Sequence, residues 1–131
     1  MSQKMLEFVE HYPCGMQVID YKCESNLDKD MLTYSPKDWM FICCNFSFNE
    51  RQIDKYKEYI DWNNFSIYQD LSEDIIRQYK DKVNWNYISQ FQKLSYEFVH
   101  EFLDKINFNF EYIKHNYKLD DKTKELCKTF L

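Results

Sequence analysis

The three tryptophans of this chain, Trp39, Trp62 and Trp85, stand 23 residues apart, and the residues around them keep the same step. Ile42, Phe65 and Ile88 share one position of the period; Cys43, Ser66 and Ser89 share the next. Phe48, Leu71 and Leu94 follow, then Asn49, Ser72 and Ser95, then Ile53, Ile76 and Val99, and then Tyr56, Tyr79 and Phe102. Self-similarity at a fixed short period means one structural piece used several times, each burying its apolar face against the next. That excludes most folds before any local propensity is weighed.

Whether the piece is helix or strand is decided by the punctuation. One glycine and two prolines in 131 residues leave little material for long irregular loops, so short helices are favoured. Ser35 before Pro36 is a helix start, with Ser as cap and Pro pre-set for the first helical position, and Asp38 three residues on completes an acidic capping box. Asn49 with Gln52 makes a second box. Asp61, Ser72, Asn84 and Ser95 stand at the equivalent places further on. Stretch 40–48 is apolar enough to compete as a strand, and the repeat register decides for helix. The expectation is a mainly α protein. Two short helices of about eight to twelve residues make a hairpin of about 23 residues, and the hairpins form a small α-solenoid or bundle over residues 35–131. Its units start near Trp39, Trp62, Trp85 and Phe108. After residue 105 the pattern decays: Ile113 and Leu119 fit only with inserted residues. A final helix capped by Asp120 or Asp121 should carry Leu126 and Phe130, as an atypical end unit would.

Residues 1–34 lie outside the period. Met5, Leu6, Phe8 and Val9 have helical spacing, and Pro13 and Gly15 end that helix. Residues 16–23, with Val18, Ile19 and Tyr21, favour extended backbone. Glu24 to Asp30 reads as a polar turn, and residues 31–34 as a partner strand, which leaves room for a small β-hairpin. This segment carries three lysines against six carboxylates, a charge of −3 out of −5 for the whole chain.

Inside a unit, the repeated residues are expected to serve packing. Ser66 and Ser89 are small enough for close helix approach, and Gln69 and Gln92 should hydrogen-bond free carbonyls at the turn. A catalytic group is needed once, so repetition itself speaks for structure. Stretch 62–105, WNNFSIYQDLSEDIIRQYKDKVNWNYISQFQKLSYEFVHEFLDK, resembles a short helical repeat, W-x-x-I-S-x-[Y/F]-Q-x-L-S-x-x-F-I, of uncharacterised proteins from large DNA viruses and phages. Two units match clearly. The Trp39 unit departs from the pattern, with Asn45 and Phe46 in place of the aromatic–Gln pair. The resemblance implies a viral or phage setting, a role in protein contacts and no catalytic residues. By analogy with small acidic phage proteins, it implies inhibition of a host defence factor such as a CRISPR effector nuclease.

Local chemistry adds no rival. His11, Cys14 and Cys23, with Cys43 or Cys44, could surround zinc only with the poor geometry of adjacent cysteines. The five cysteines read as reduced thiols of a cytoplasmic protein. One glycine cannot build a phosphate loop, no cofactor is expected, and no apolar run reaches membrane-spanning length. Glu73–Asp74 and Asp120–Asp121 sit at helix starts, where the dipole accounts for them. The alternative function is a nucleic-acid-binding regulator using the short helix-turn-helix units, with Lys80, Lys82, Lys93 and Lys105 on phosphate. The acidic balance and the neighbouring carboxylates oppose it. The favoured expectation is a non-enzymatic module that binds a host protein, for example a nuclease or other nucleic-acid-binding protein. Its contacts should come from positions that vary between units: Met40, Phe41, Asn63, Asn64, Asn86, Tyr87, Gln90, Tyr96, His100 and Leu103. The acidic Asp20, Glu24, Asp28 and Asp30 of the first segment join them.

Overall fold

The capping residues of the sequence are where the helices of the computed structural model begin. It describes residues 3–11, 17–106 and 115–129. Helix α1 (Gln3–His11) is followed by strand β1 (Gln17–Val18), α2 (Tyr21–Asp30) and a 3₁₀ turn (Met31–Thr33). Then come α3 (Pro36–Asn45), β2 (Phe46–Ser47), α4 (Glu50–Tyr56), α5 (Trp62–Tyr68), α6 (Glu73–Gln78), α7 (Trp85–Phe91), α8 (Tyr96–Glu101) and α9 (Asp121–Lys128). The described residues are mainly helical, with a short two-stranded parallel sheet.

Each cap works through a side-chain oxygen that accepts from a backbone N–H of the first turn. Ser35 accepts from Asp38 and Asn49 from Gln52, and both boxes are closed by the return bond from the cap N–H. Asp61 accepts from Asn64, Ser72 from Ile75, Asn84 from Asn86 and Tyr87, Ser95 from Phe98, and Asp120 from Thr123. Helices α4 to α8 are six or seven residues long, shorter than expected. Such helices do not persist alone in water. Each cap contributes about 1 kcal/mol, and each buried Leu, Ile or Phe about 2–3 kcal/mol.

The expected β-hairpin over residues 16–34 does not form. Residues 24–30, read as a turn, are most of α2, and residues 31–34, read as a strand, hold the 3₁₀ turn. Asp20 caps α2 by accepting from the Cys23 N–H. The extended stretch shrinks to Gln17–Val18. It pairs in parallel with β2, Gln17 opposite Phe46 and Val18 opposite Ser47, and the Ile19 N–H donates to the Ser47 carbonyl at 3.2 Å. The edge that a hairpin partner would have filled is taken by residues nearly thirty positions later. Val9, Pro13, Gly15, Met16, Phe108, Ile113 and Phe130, which also carried expectations, lie outside what is described, Val9 by its side chain.

The chain divides into two compact units, Met1–Gln69 and Asp70–Leu131. In the first, α3 packs on α5 around Ile42, Phe46, Tyr56 and Phe65, and Phe8 of α1 meets Phe46 edge to face at 5.3 Å. In the second, Ile76, Ile88, Phe98 and Val99 are fully buried, and the Trp85 ring lies against Phe98 and Phe102.

Local geometry recurs at the 23-residue step. The Trp62 indole N–H donates to the Lys57 carbonyl (3.0 Å) and that of Trp85 to the Lys80 carbonyl (2.9 Å). Ser66 Oγ donates to the Trp62 carbonyl and Ser89 Oγ to the Trp85 carbonyl, so these buried serines satisfy their hydroxyls within their own helices. Gln69 Nε2 donates to the carbonyls of Cys43 (3.0 Å) and Phe46 (2.6 Å), and its Oε1 accepts from the Phe48 N–H. In the second unit, Asn116 Nδ2 donates to the carbonyls of Ser89 and Gln92, the same two positions of the period. Gln92 Oε1 accepts from the Leu71 N–H. The expectation that the glutamines bond free carbonyls is met for Gln69, and those carbonyls lie 23 residues or more upstream, in the last turn of α3 and at the start of β2.

Candidate interaction surface

In the first unit, Met40 of α3 is 43% exposed and Phe41 beside it is half-buried. Asn63 is exposed, whereas Asn64 is half-buried and donates from Nδ2 to the capping carboxylate of Asp61. Of the acidic residues expected to meet a partner, Asp20 is exposed and caps α2. Asp28 and Asp30 are half-buried.

Glu24 is buried and engaged inside the unit. Its carboxylate accepts from Arg51 Nη1 and Nη2 at 3.1 and 2.6 Å, from Gln52 Nε2 at 2.9 Å, and from Lys55 Nζ at 3.1 Å. Lys55 and the Tyr56 hydroxyl also donate to Asp28. The Arg51 fork is the main reason the Glu24 carboxyl is held down at about 2, with the Gln52 and Lys55 donors adding to it and partial burial opposing. This network ties α2 to α4, and the negative charge of residues 1–34 is to that extent spent on the fold.

The second unit holds the other expected contacts. Tyr87, Gln90, Tyr96 and Leu103 are half-buried, and His100 and Asn86 are exposed. Tyr96 and His100 lie on one face of α8 with ring centroids 6.2 Å apart, and Lys122 Nζ sits 4.3 Å from the Tyr96 ring centre. Tyr87 has Phe91 as its ring neighbour at 6.3 Å. Lys80, Lys82, Lys93 and Lys105 are exposed, and so are Asp74, Asp81, Glu97, Glu101 and Asp104. Positive and negative side chains are thus interleaved on this unit.

The cysteines are placed as packing groups. Cys23, Cys43 and Cys127 are buried and Cys44 is half-buried. Burial pushes the Cys23 and Cys43 thiols up to about 12. Thiols so placed are poor nucleophiles and poor metal ligands. Among the described residues no three His, Cys, Asp or Glu side chains are placed to hold a metal. Cys14 and the His11 side chain lie outside them. Among the described residues no helix is long and apolar enough to cross a membrane.

Sequence reasoning missed the most exposed large apolar side chains among the described residues: Tyr21 (91%), Tyr117 (83%) and Leu32 (78%). None belongs to the period, and Tyr21 and Leu32 fell in expected strands. A helix start at Asp20 was the signal that would have turned Tyr21 outward. No family model matches this chain, and neither a curated protein nor a solved structure matches it.

Proposed function

We propose that this chain is a non-enzymatic helical-repeat scaffold, a short α-solenoid or bundle of 23-residue units, whose role is contact with another protein. Support comes from the division between positions. Repeated residues such as Ile42, Phe65, Ile88, Gln69 and Gln92 are buried. The variable Met40, Phe41, Tyr87, Tyr96 and His100 keep exposed area, and Met, Phe and Tyr are residue types that anchor interfaces. The sequence resemblance to viral and phage repeat proteins adds the setting. The partner we infer is a host protein, and the effect is inhibition of a defence factor, for instance a CRISPR effector nuclease. The interleaved charges of the second unit favour a protein surface over a phosphate backbone.

Affinity capture from the natural host, followed by mass spectrometry, tests this. The wild-type chain should recover one stoichiometric partner. Met40→Glu and Tyr96→Ala, changed singly with the circular-dichroism spectrum retained, should lower its recovery. Absence of any stoichiometric partner, or a partner recovered by both variants as well as by wild type, refutes the assignment of these faces.

A further inference from the structure

Trp39 differs from the other two indoles in a way that follows from helix phase. Trp62 and Trp85 directly follow their caps, Asp61 and Asn84, and each N–H reaches the carbonyl five residues back. Helix α3 starts one turn earlier in the period, at Pro36 behind Ser35, so Trp39 is its fourth residue. The carbonyl five positions back, that of Tyr34, precedes the cap and does not receive the bond. Trp39 is only 4% exposed, and its N–H has no hydrogen-bond partner among the described residues. A buried donor without an acceptor is disfavoured unless an acceptor arrives.

The same indole forms part of the wall of a cleft of about 380 Å³ in the first unit, together with Tyr34, Tyr59, Leu32, Glu58 and Asp61, a size within the range of binding pockets. Tyr59 stacks on Trp39 with centroids 5.4 Å apart and planes at 23°, and Tyr34 meets Trp39 edge to face at 5.9 Å. Leu32 stands exposed at the rim. Glu58 and Asp61 bring two carboxylates to the lining, and among the described residues no lysine or arginine lines it. Aromatic faces beside carboxylates suit a cation with a flat apolar surface, and guanidinium has both properties. A peptide that carries arginine also carries the backbone carbonyl that the indole N–H lacks.

We propose that this cleft binds an arginine side chain from an extended segment of a partner protein. The guanidinium lies over the half-exposed Tyr59 ring near Glu58 and Asp61, and a backbone carbonyl of the segment accepts from Trp39 once the cleft wall parts to expose its enclosed N–H. This rests on the protein-binding function above and adds a contact made by none of the residues named there.

The test uses the ¹⁵N-labelled full chain and the probe acetyl-Gly-Arg-Gly-amide, with acetyl-Gly-citrulline-Gly-amide as its uncharged shape match. The Trp39 indole N–H signal, assigned by its loss in Trp39→Phe, should shift on titration with the arginine peptide at millimolar concentration. The Trp62 and Trp85 indole signals, already bonded to carbonyls, should stay in place. The citrulline peptide should bind more weakly. Glu58→Gln and Asp61→Asn should each weaken binding by up to about fivefold. Asparagine keeps the cap of α5, so the second variant retains the fold. A stationary Trp39 signal, equal binding of citrulline, or unaltered binding by both variants overturns the proposal. Capture with the double variant separates the two levels. A partner recovered by wild type and double variant alike overturns the cleft as its contact and leaves protein binding standing. Arginine-selective binding of the tripeptide with no partner captured upholds the cleft and refutes protein binding.

Discussion

Replacing Gln69 by leucine should show whether the first unit is held by this amide or only by its apolar core. The side chain is 4% exposed. It holds three backbone groups: the carbonyls of Cys43 and Phe46 at 3.0 and 2.6 Å, and the Phe48 N–H at 3.3 Å. Leucine has about the same volume and no polar atom. Each backbone group left without a partner in a dry site costs about 1–3 kcal/mol. Leucine's extra apolar burial returns about 1–2 kcal/mol. Three such groups less that return leave a net loss of about 1–8 kcal/mol, and even the low end lowers the urea midpoint by about 0.5 M at a slope of about 2 kcal/mol/M. Urea unfolding followed by far-ultraviolet circular dichroism measures it. Gln90→Leu, on the half-buried outer side of α7, is the control and should stay within about 0.5 kcal/mol. A Gln69→Leu protein within about 0.5 kcal/mol of wild type, with an unchanged slope, would show that the amide bonds contribute nothing net.

Stability should also fall in acid through Glu24. Its folded carboxyl is held down at about 2 from 4.5, so the stabilisation is complete above pH 4.5 and is lost as pH drops toward 2. The full shift corresponds to about 3 kcal/mol, and the largely exposed Arg51 guanidinium reduces that to about 1.5 kcal/mol. Thermal melts between pH 6 and pH 2.5 should show this loss in wild type and not in Glu24→Gln; equal pH dependence of the two would exclude Glu24 as the cause. Thiol accessibility gives a further check. With Ellman's reagent at pH 8, Cys23, Cys43 and Cys127 should react only after unfolding, since burial raises their thiols. Rapid modification of all three in the folded protein would contradict their packing.

The parts of the fold that were legible in the sequence are those made by local bonds. A capping oxygen and the N–H it serves lie two or three residues apart, so Ser35, Asn49, Asp61, Ser72, Asn84 and Ser95 were identified as caps from spacing and register, and the last cap was narrowed to Asp120 or Asp121, of which Asp120 serves. Helix α2 was not legible, because its apolar content is thin: Tyr21 points outward, and Cys23 and Leu27 are buried. What holds it are ion pairs from Glu24 and Asp28 to Arg51 and Lys55, partners that no local window contains. The same reason hid the β1–β2 pairing and turned an expected hairpin into a helix. For the interaction surface, variability between units picked out Met40 and His100, which are exposed; the charge balance of residues 1–34 put Glu24 among the contacts, and the donors that engage it lie in α4, outside any local window. The orphaned Trp39 N–H was invisible to column reading, because the repeat predicts the ring and not the phase of its helix.

The backward reach of Gln69 and Asn116 has a consequence for synthesis. Both amides close carbonyls 23 to 27 residues upstream, so the end of each such helix stays open until its closing residue has left the ribosome. A chain growing from its N-terminus would therefore trail an unfinished segment at each of these two points, and a stop codon just before residue 69 or 116 would leave that segment permanently unsealed.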